Sequence, residues 1–365
     1  MGKGRVYAAA PWPKSGAQMR WIIGIFKWLG LLLVVLAVSG AIYQFAGTQL
    51  DAKIAPPKSD MVSADGHSYY VHCEGSGPTT FVMDAGLGGW SVFWWRFQAP
   101  LSAIGRACVL DRQGQGWSDA ANVKHDGIAA ADELNAIIKA AGIPTPFVYV
   151  GHSLGANFAQ IYYGKYPQNI SALVLIEPGV PKDMMEDFKG TREQAMALPD
   201  CSLGCTAALI AGYLGVGRLT TLIAPGKHFP GALKEQYHHG LARSTNLMNT
   251  IAYLGVIAKT AYQTQDVASF GNTPVLVFAS SSPLGGDVPV PDDLKAPGAR
   301  EAWQARQHAY FASLAAKSSR GSGPLIVANS THVTMVLEEG PVTYIVAEIT
   351  KLAAGLGNPA APAPS

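Results

Sequence analysis

Residues 151 to 155 read Gly-His-Ser-Leu-Gly, and they follow directly on the apolar run Phe147-Val148-Tyr149-Val150. The run has the composition of a buried strand, and residues 156–166 have that of a helix. A serine held between two glycines at a strand-to-helix turn has two readings. Either the glycines only permit a tight turn, or they remove side chains that would clash and so present Ser153 as a nucleophile. A serine nucleophile needs a base. His332 is the one histidine at the end of a late predicted strand, 324–332, and is the candidate. His152 adjoins the serine but is expected to point elsewhere and to serve the structure. His72, in an early strand, reads the same way. His238 and His239 lack a third ligand at useful spacing, so no metal is expected. Gly114-Gln115-Gly116 has the start of a dinucleotide loop, but Asp119 holds the third glycine's place, and no cofactor is expected.

The elements that must position these residues alternate. Residues 61–64 and 67–73 flank Asp65-Gly66, a hairpin signal. Strands are expected at 79–84, 106–111, 147–150, 171–178, 273–280 and 324–332. Helices are expected at 91–104, 128–142, 300–317 and 340–355. Alternation of this kind predicts an α/β fold, with a mostly parallel sheet covered by helices on both faces. The strand rhythm stops between 178 and 272, which reads as a helical cap between strands six and seven. The core therefore divides into 61–177 and 273–356. The apolar stretch 208–224 reads as cap interior partly facing the substrate. Trp90, Trp94 and Trp95 read as helix packing, with Trp90 the one to watch as a substrate wall. The Pro/Ala-rich tail 357–365 reads as disordered.

The first fifty residues stand apart. Residues 1–20 are basic, and no acid precedes Asp51. Within a span placed at 21–46, residues 28–46 carry no charge and would form a helix of about 28 Å, near the hydrocarbon thickness of a bilayer. The preceding cations keep the N-terminus in the cytoplasm and put the rest outside. The competing reading is a secreted chain whose signal is cleaved near Ala37, Ser39 and Ala41, which the continuing apolar run disfavours. Met19 before Arg20 also suits a start, with 1–18 as an extension. Residues 47–60 read as a linker. Charged residues make up 14% of the chain and the net charge is only +2, so nucleic acid is not an expected partner. The cysteines, at 73, 108, 201 and 205, suit an oxidising compartment, and Cys201 and Cys205 are close enough to close a small loop.

With these motifs in place, residues 60–356 resemble the α/β-hydrolase family, and the N-terminal anchor adds a likeness to bacterial membrane-anchored serine hydrolases. Residues 84–90 (DAGLGGW) stand where the family has its oxyanion loop, with Ala85-Gly86 in place of the usual His-Gly. Residues 111–119 (DRQGQGWSD) match the family's turn after the fourth strand, and 330–341 the segment carrying the catalytic histidine. The resemblance implies Ser153 as nucleophile, His332 as base, and the backbone N–H groups of Leu87 and Leu154 as oxyanion donors. It also makes the second and fourth strands neighbours, so that Cys73 and Cys108 fall within disulfide reach.

The family's usual acid follows the seventh strand, where this chain has Ser280, Ser281 and Ser282. Glu177, at the end of the sixth strand before Pro178, occupies the place used by lipases similar to the pancreatic type, and becomes the expected acid. Asp287 is the alternative. The implied activity is hydrolysis of an ester or related acyl bond in a hydrophobic small molecule. An acyltransferase or C–C hydrolase using the same three residues is an alternative, as is a ligand-binding protein without activity.

Overall fold

The computed structural model describes residues 15–54, 60–119, 124–186, 188–199, 203–221, 226–282 and 291–356. Its centre is an eight-stranded sheet: β1 (Met61–Ala64), β2 (His67–Glu74), β3 (Thr80–Asp84), β4 (Arg106–Leu110), β5 (Phe147–His152), β6 (Ile170–Ile176), β7 (Val275–Ser280) and β8 (Gly321–Val327). The strand order is β1-β2-β4-β3-β5-β6-β7-β8. β1 and β2 are antiparallel to their neighbours and the rest run parallel. β3 and β5 are buried along their whole length, as parallel strands covered on both faces must be. Asp65 and Gly66 both take positive φ, the requirement of the tight hairpin turn they make.

Helices α2 (Trp95–Ser102), α3 (Gly127–Ala140) and α4 (Leu154–Lys165) follow β3, β4 and β5. Asp126 caps α3 by accepting from the N–H groups of Ile128 and Ala129. The period-2 pleat of β3 sends Val82 into the core layer with Leu134, Tyr162 and Phe311, and Phe81 and Met83 into the layer with Phe97, Ile345 and Ile349. The sheet is thus the common wall of two cores.

Between β6 and β7 lie α5 (Pro181–Met184), α6 (Arg192–Met196), α7 (Leu203–Tyr213), α8 (Val216–Thr220), α9 (Ala232–Ala242), α10 (Ser244–Gly255) and α11 (Ile257–Gln265). After β7 come α12 (Ala299–Ala315), then β8, α13 (Thr334–Leu337) and α14 (Glu339–Ala354). Cys73 and Cys108, directly opposed across β2 and β4, form a disulfide. Cys205 is buried with a free thiol, and Cys201 lies outside the described residues.

The N-terminal helix α1 (Ser15–Asp51) is long and apolar enough over Met19–Asp51 to cross a bilayer, and its large side chains are exposed: Trp28, Leu33 and Phe45 are about two-thirds uncovered. The expected linker at 47–60 is helical over its first part. α1 runs to Asp51 and a 3-10 turn follows at Ala52–Ile54, while 55–59 lie outside the described residues. The cause is tertiary. The Asp51 carboxylate pairs with Arg218 at 2.6 Å, and the Gln44 amide donates to the Ala242 carbonyl at 2.8 Å, so the helix end is docked on the cap. The tail 357–365 and Asp287 also lie outside the described residues.

Candidate active site

Ser153 caps the N-terminus of α4 at φ 54°, ψ −123°, a conformation that costs about 1–3 kcal/mol for a residue with a Cβ. The surroundings enforce it. Its N–H donates to the Ile176 carbonyl at 2.9 Å, and its own carbonyl accepts from Ala156 at 3.0 Å. The flanking glycines are needed for close approach. A Cβ on Gly151 would lie 2.6 Å from the Gly155 carbonyl oxygen, and one on Gly155 would lie 2.4 Å from that of Asp84. Only with both side chains absent does the α4 N-terminus pack this tightly on the sheet edge, with Ser153 at the point of the turn.

His332 comes not from a strand end but from a loop. β8 stops at Val327, five residues earlier than the sequence pattern predicts, and Asn329 turns the chain at φ 53°. Ser330 ties the loop to the end of β7: its N–H donates to Ser281 Oγ at 3.1 Å and its carbonyl accepts from the Ser282 N–H at 3.0 Å. This places His332 Nε2 3.0 Å from Ser153 Oγ, hydrogen-bond distance for a hydroxyl donating to a neutral imidazole.

On the other side of the ring, His332 Nδ1 stands 3.8 Å from Glu177 Oε2. That is beyond hydrogen-bond distance, so the carboxylate faces the ring across a gap. Glu177 is itself held at positive φ (44°) by its N–H bond to the Phe278 carbonyl at 2.9 Å. Ser280 donates to it twice, from Oγ to Oε1 at 2.8 Å and from its N–H to Oε2 at 3.3 Å. Ser280, the last residue of β7, thus anchors the Glu177 carboxylate that follows β6. Burial pushes the Glu177 carboxyl up to about 7, against the lowering effect of the Ser280 donors. Burial also pushes His332 down to about 4, so its ring is neutral at pH 7.

His152 does more than the sequence reading gave it. Its ring borders the cavity beside Ser153, and its Nε2–H donates to the His332 carbonyl at 2.9 Å. Burial, with the His332 ring beside it, holds its pKa down to about 3, which keeps it neutral. His72 and His239 stand elsewhere. The first sits between Asp60 and Glu74, and the second stacks on Trp117.

The loop from Asp84 to Trp90 crosses above Ser153. Gly86 lies so close that a Cβ there would be 2.8 Å from Ser153 Cβ. Leu87 borders the same cavity, and Leu154 is the first residue of α4, whose opening N–H groups have no acceptor within the helix. Arg112, which sequence reasoning placed in a turn without a role, holds this loop from beneath. Its guanidinium pairs with Asp84 and donates to the carbonyls of Ala85 at 3.0 Å and Gly86 at 3.4 Å. Asp84 in turn accepts from the Tyr149 hydroxyl at 2.8 Å. The Asp111 carboxylate gathers the N–H groups of Ser91 and Trp117 at 2.7 and 2.8 Å, and burial pushes its carboxyl up to about 6. An arginine directly after the strand's aspartate was the available signal, but its partners are distant in sequence.

The cavity over Ser153 has a volume of about 280 Å³ and is mainly apolar, walled by Leu87, Phe93, Trp94, Val333 and Val336. Trp94 and not Trp90 faces it. Trp90 is buried under α9, stacked on Tyr237 with ring centroids 5.7 Å apart and pressed against Gly240. The described part of the stretch 208–224, residues 208–221, does not border the cavity. It forms α7 and α8 and turns large apolar side chains outward.

Comparison with known proteins agrees with this architecture. The family model described as the alpha/beta hydrolase fold matches residues 79–201, which run from β3 through the serine turn into the cap. The uncharacterized protein YbdG of Bacillus subtilis is 26% identical over 160 residues, 43% of this chain and 49% of that protein. The chain spans about half the length of the curated relatives it matches first. Among solved structures, an esterase from Thermogutta terrifontis superposes with a TM-score of 0.53 at 13% identity, covering 81% of this chain and 98% of that one. A bacterial membrane phospholipase A gives 0.53 at 16%, covering 93% and 100%. Likeness at these identities establishes the fold alone. The chain is an α/β-hydrolase-fold protein.

Proposed function

We propose that the protein is a serine hydrolase that cleaves an ester or related acyl bond, held at a membrane by α1 with its catalytic domain outside the cytoplasm. The observation that carries this reading is the 3.0 Å contact between Ser153 Oγ, on a strained turn, and a neutral His332 at the floor of an apolar cavity. Ser153 attacks the acyl carbon while His332 Nε2 takes its proton and returns it to the leaving group. Glu177 fixes the ring tautomer and stabilises the imidazolium as it forms. The N–H groups of Leu87 and Leu154 receive the oxyanion, each worth about two to three decades in rate. The apolar walls suit a hydrophobic acyl group. Anchoring is supported by the exposed apolar surface of α1, by Arg20 and Lys27 on one side of it, and by the Cys73–Cys108 disulfide, a bond that persists outside the cytosol.

The test is hydrolysis of p-nitrophenyl esters of increasing chain length by the full chain, followed against pH. His332 is already neutral well below pH 7, so the group that must still lose its proton is Glu177. The value of kcat/KM should therefore rise with pH through about 7 and level off above it, the limb belonging to the Glu177–His332 pair. A profile flat from pH 5 to 8 contradicts the assignment, and no hydrolysis of any chain length contradicts the function.

A further inference from the structure

The cap carries a surface that hydrolysis does not use. On α7 the exposed residues 203, 206, 207, 210 and 213 form one continuous helical face, with Gly204 exposed beside it, and no charged residue occurs from 201 to 217. Leu203 is 86% exposed, Ile210 54% and Tyr213 58%, and Val216 and Leu219 extend the patch onto α8. An exposed apolar face continuous over two helices marks a contact surface for an apolar partner.

What covers it is indicated by α1, which docks on these same helices. Gly40 is flush against α7's end, where a Cβ would lie 2.3 Å from the Leu214 carbonyl oxygen. Gln44, a polar residue inside the apolar run, spends its amide on Ala242 at the end of α9. The Arg218–Asp51 pair closes the contact where α1 ends. Depth follows from the helix rise. If residues 28–46 fill the hydrocarbon layer, Gly40 stands six residues, about 9 Å, below its edge. Leu214 and the side chains around it then stand at the same depth. Interfacial helices bury their apolar faces about 5–10 Å into the headgroup and acyl boundary.

We infer that the outer face of α7 and α8 is immersed in the leaflet that α1 leaves, with Leu203, Ile210, Tyr213, Val216 and Leu219 among the lipids. The inference rests on reading α1 as an anchor, and the two can fail separately. The occupant is the bilayer itself, because the patch is continuous with a helix of bilayer length and meets it below the hydrocarbon edge. Charge divides accordingly: the Arg218–Asp51 pair marks the aqueous boundary, and the α7 part of the patch carries no charge.

Quenching by depth tests this. Full-length Ile210→Cys, Tyr213→Cys, Val34→Cys and Ala302→Cys variants are each labelled with an environment-sensitive fluorophore and reconstituted into phosphatidylcholine vesicles containing spin-labelled lipids. Emission from the parent chain treated alike is subtracted, and melting temperature checks the fold. Positions 210 and 213 should lose emission to quenchers near the headgroups, Val34 to quenchers deep in the chains, and Ala302, on charged α12, to neither. Quenching at Val34 but not at 210 and 213 overturns the inference and leaves the anchor standing. No quenching at Val34 overturns the anchor reading and the inference with it. Equal quenching at Ala302 also overturns it, since the patch would then not be special. Disulfide-linked dimers of Ile210→Cys without lipid quenching would assign the face to a second copy of the chain.

Discussion

Ser153→Ala should reduce ester hydrolysis to the background rate, a loss on the order of 10⁵–10⁶ in kcat, with substrate binding retained. The loss is that of the attacking oxygen, since Ser153 Oγ is the hydrogen-bond partner of His332 Nε2 among the described residues. Alanine at this position keeps the Cβ and therefore the strain of φ 54°. Ser153→Gly should be equally inactive but should melt above Ser153→Ala, because glycine enters this region of backbone space without penalty. The comparison separates two properties of one residue, its chemistry and the conformation that exposes it. Kinetics on matched membrane preparations and thermal melts of both variants check it. Activity surviving in either variant, or a glycine variant that melts below the alanine one, contradicts the account of the turn.

The second large effect concerns the acid. Glu177→Gln should lower kcat by about 10³–10⁴ while leaving KM and the melting temperature nearly unchanged. Glutamine has the same shape and can still accept from Ser280 Oγ, so the fold loses little. Its amide group, however, can face His332 Nδ1 as a donor, which favours the wrong tautomer of the base. Ser280→Ala is the companion. Removing the hydroxyl takes away a donor to the carboxylate, which lets burial push the Glu177 carboxyl above about 7. The rising limb of the pH–rate profile should therefore move to higher pH, with the plateau preserved. A Glu177→Gln enzyme of full activity would remove the acid from this strand, and an unmoved limb in Ser280→Ala would detach Ser280 from it.

The sheet was readable because central parallel strands are covered on both faces and show as unbroken apolar runs, as at 147–150 and 171–176. The serine turn was readable for a related reason: only glycine permits the approach of α4 to the sheet, and glycine is visible. Glu177 could be named from its place at a strand end. Its partner Ser280 could not, because their contact depends on β6 and β7 lying side by side across the whole cap. Arg112 was hidden in the same way, its acceptors Ala85 and Gly86 lying on a different loop. The end of β8 is not marked in the sequence because the β-prone Val327 leads into Ala-Asn-Ser-Thr without a glycine or proline, and the turn is made by Asn329 at positive φ. Residues 47–51 have a weak helical pattern of their own and are helical through contacts with α8. The apolar stretch 208–224 reads as interior from composition, yet in its described part only one face is buried, with Ala208 and Gly212 inward and Ile210 and Tyr213 outward, because an all-apolar run carries no polar residues to mark its exposed side.

The central claim is that Ser153 is a nucleophile activated by its surroundings, and reaction with a fluorophosphonate tests it most directly. Membranes bearing the full chain are treated with the reagent at pH 8, where His332 is neutral and Glu177 ionised, and the adduct is mapped by peptide mass spectrometry. The account predicts one rapid, stoichiometric adduct on Ser153, absent from Ser153→Ala and strongly slowed in His332→Ala. A folded protein that leaves Ser153 unmodified, or that reacts as fast without His332, would contradict it.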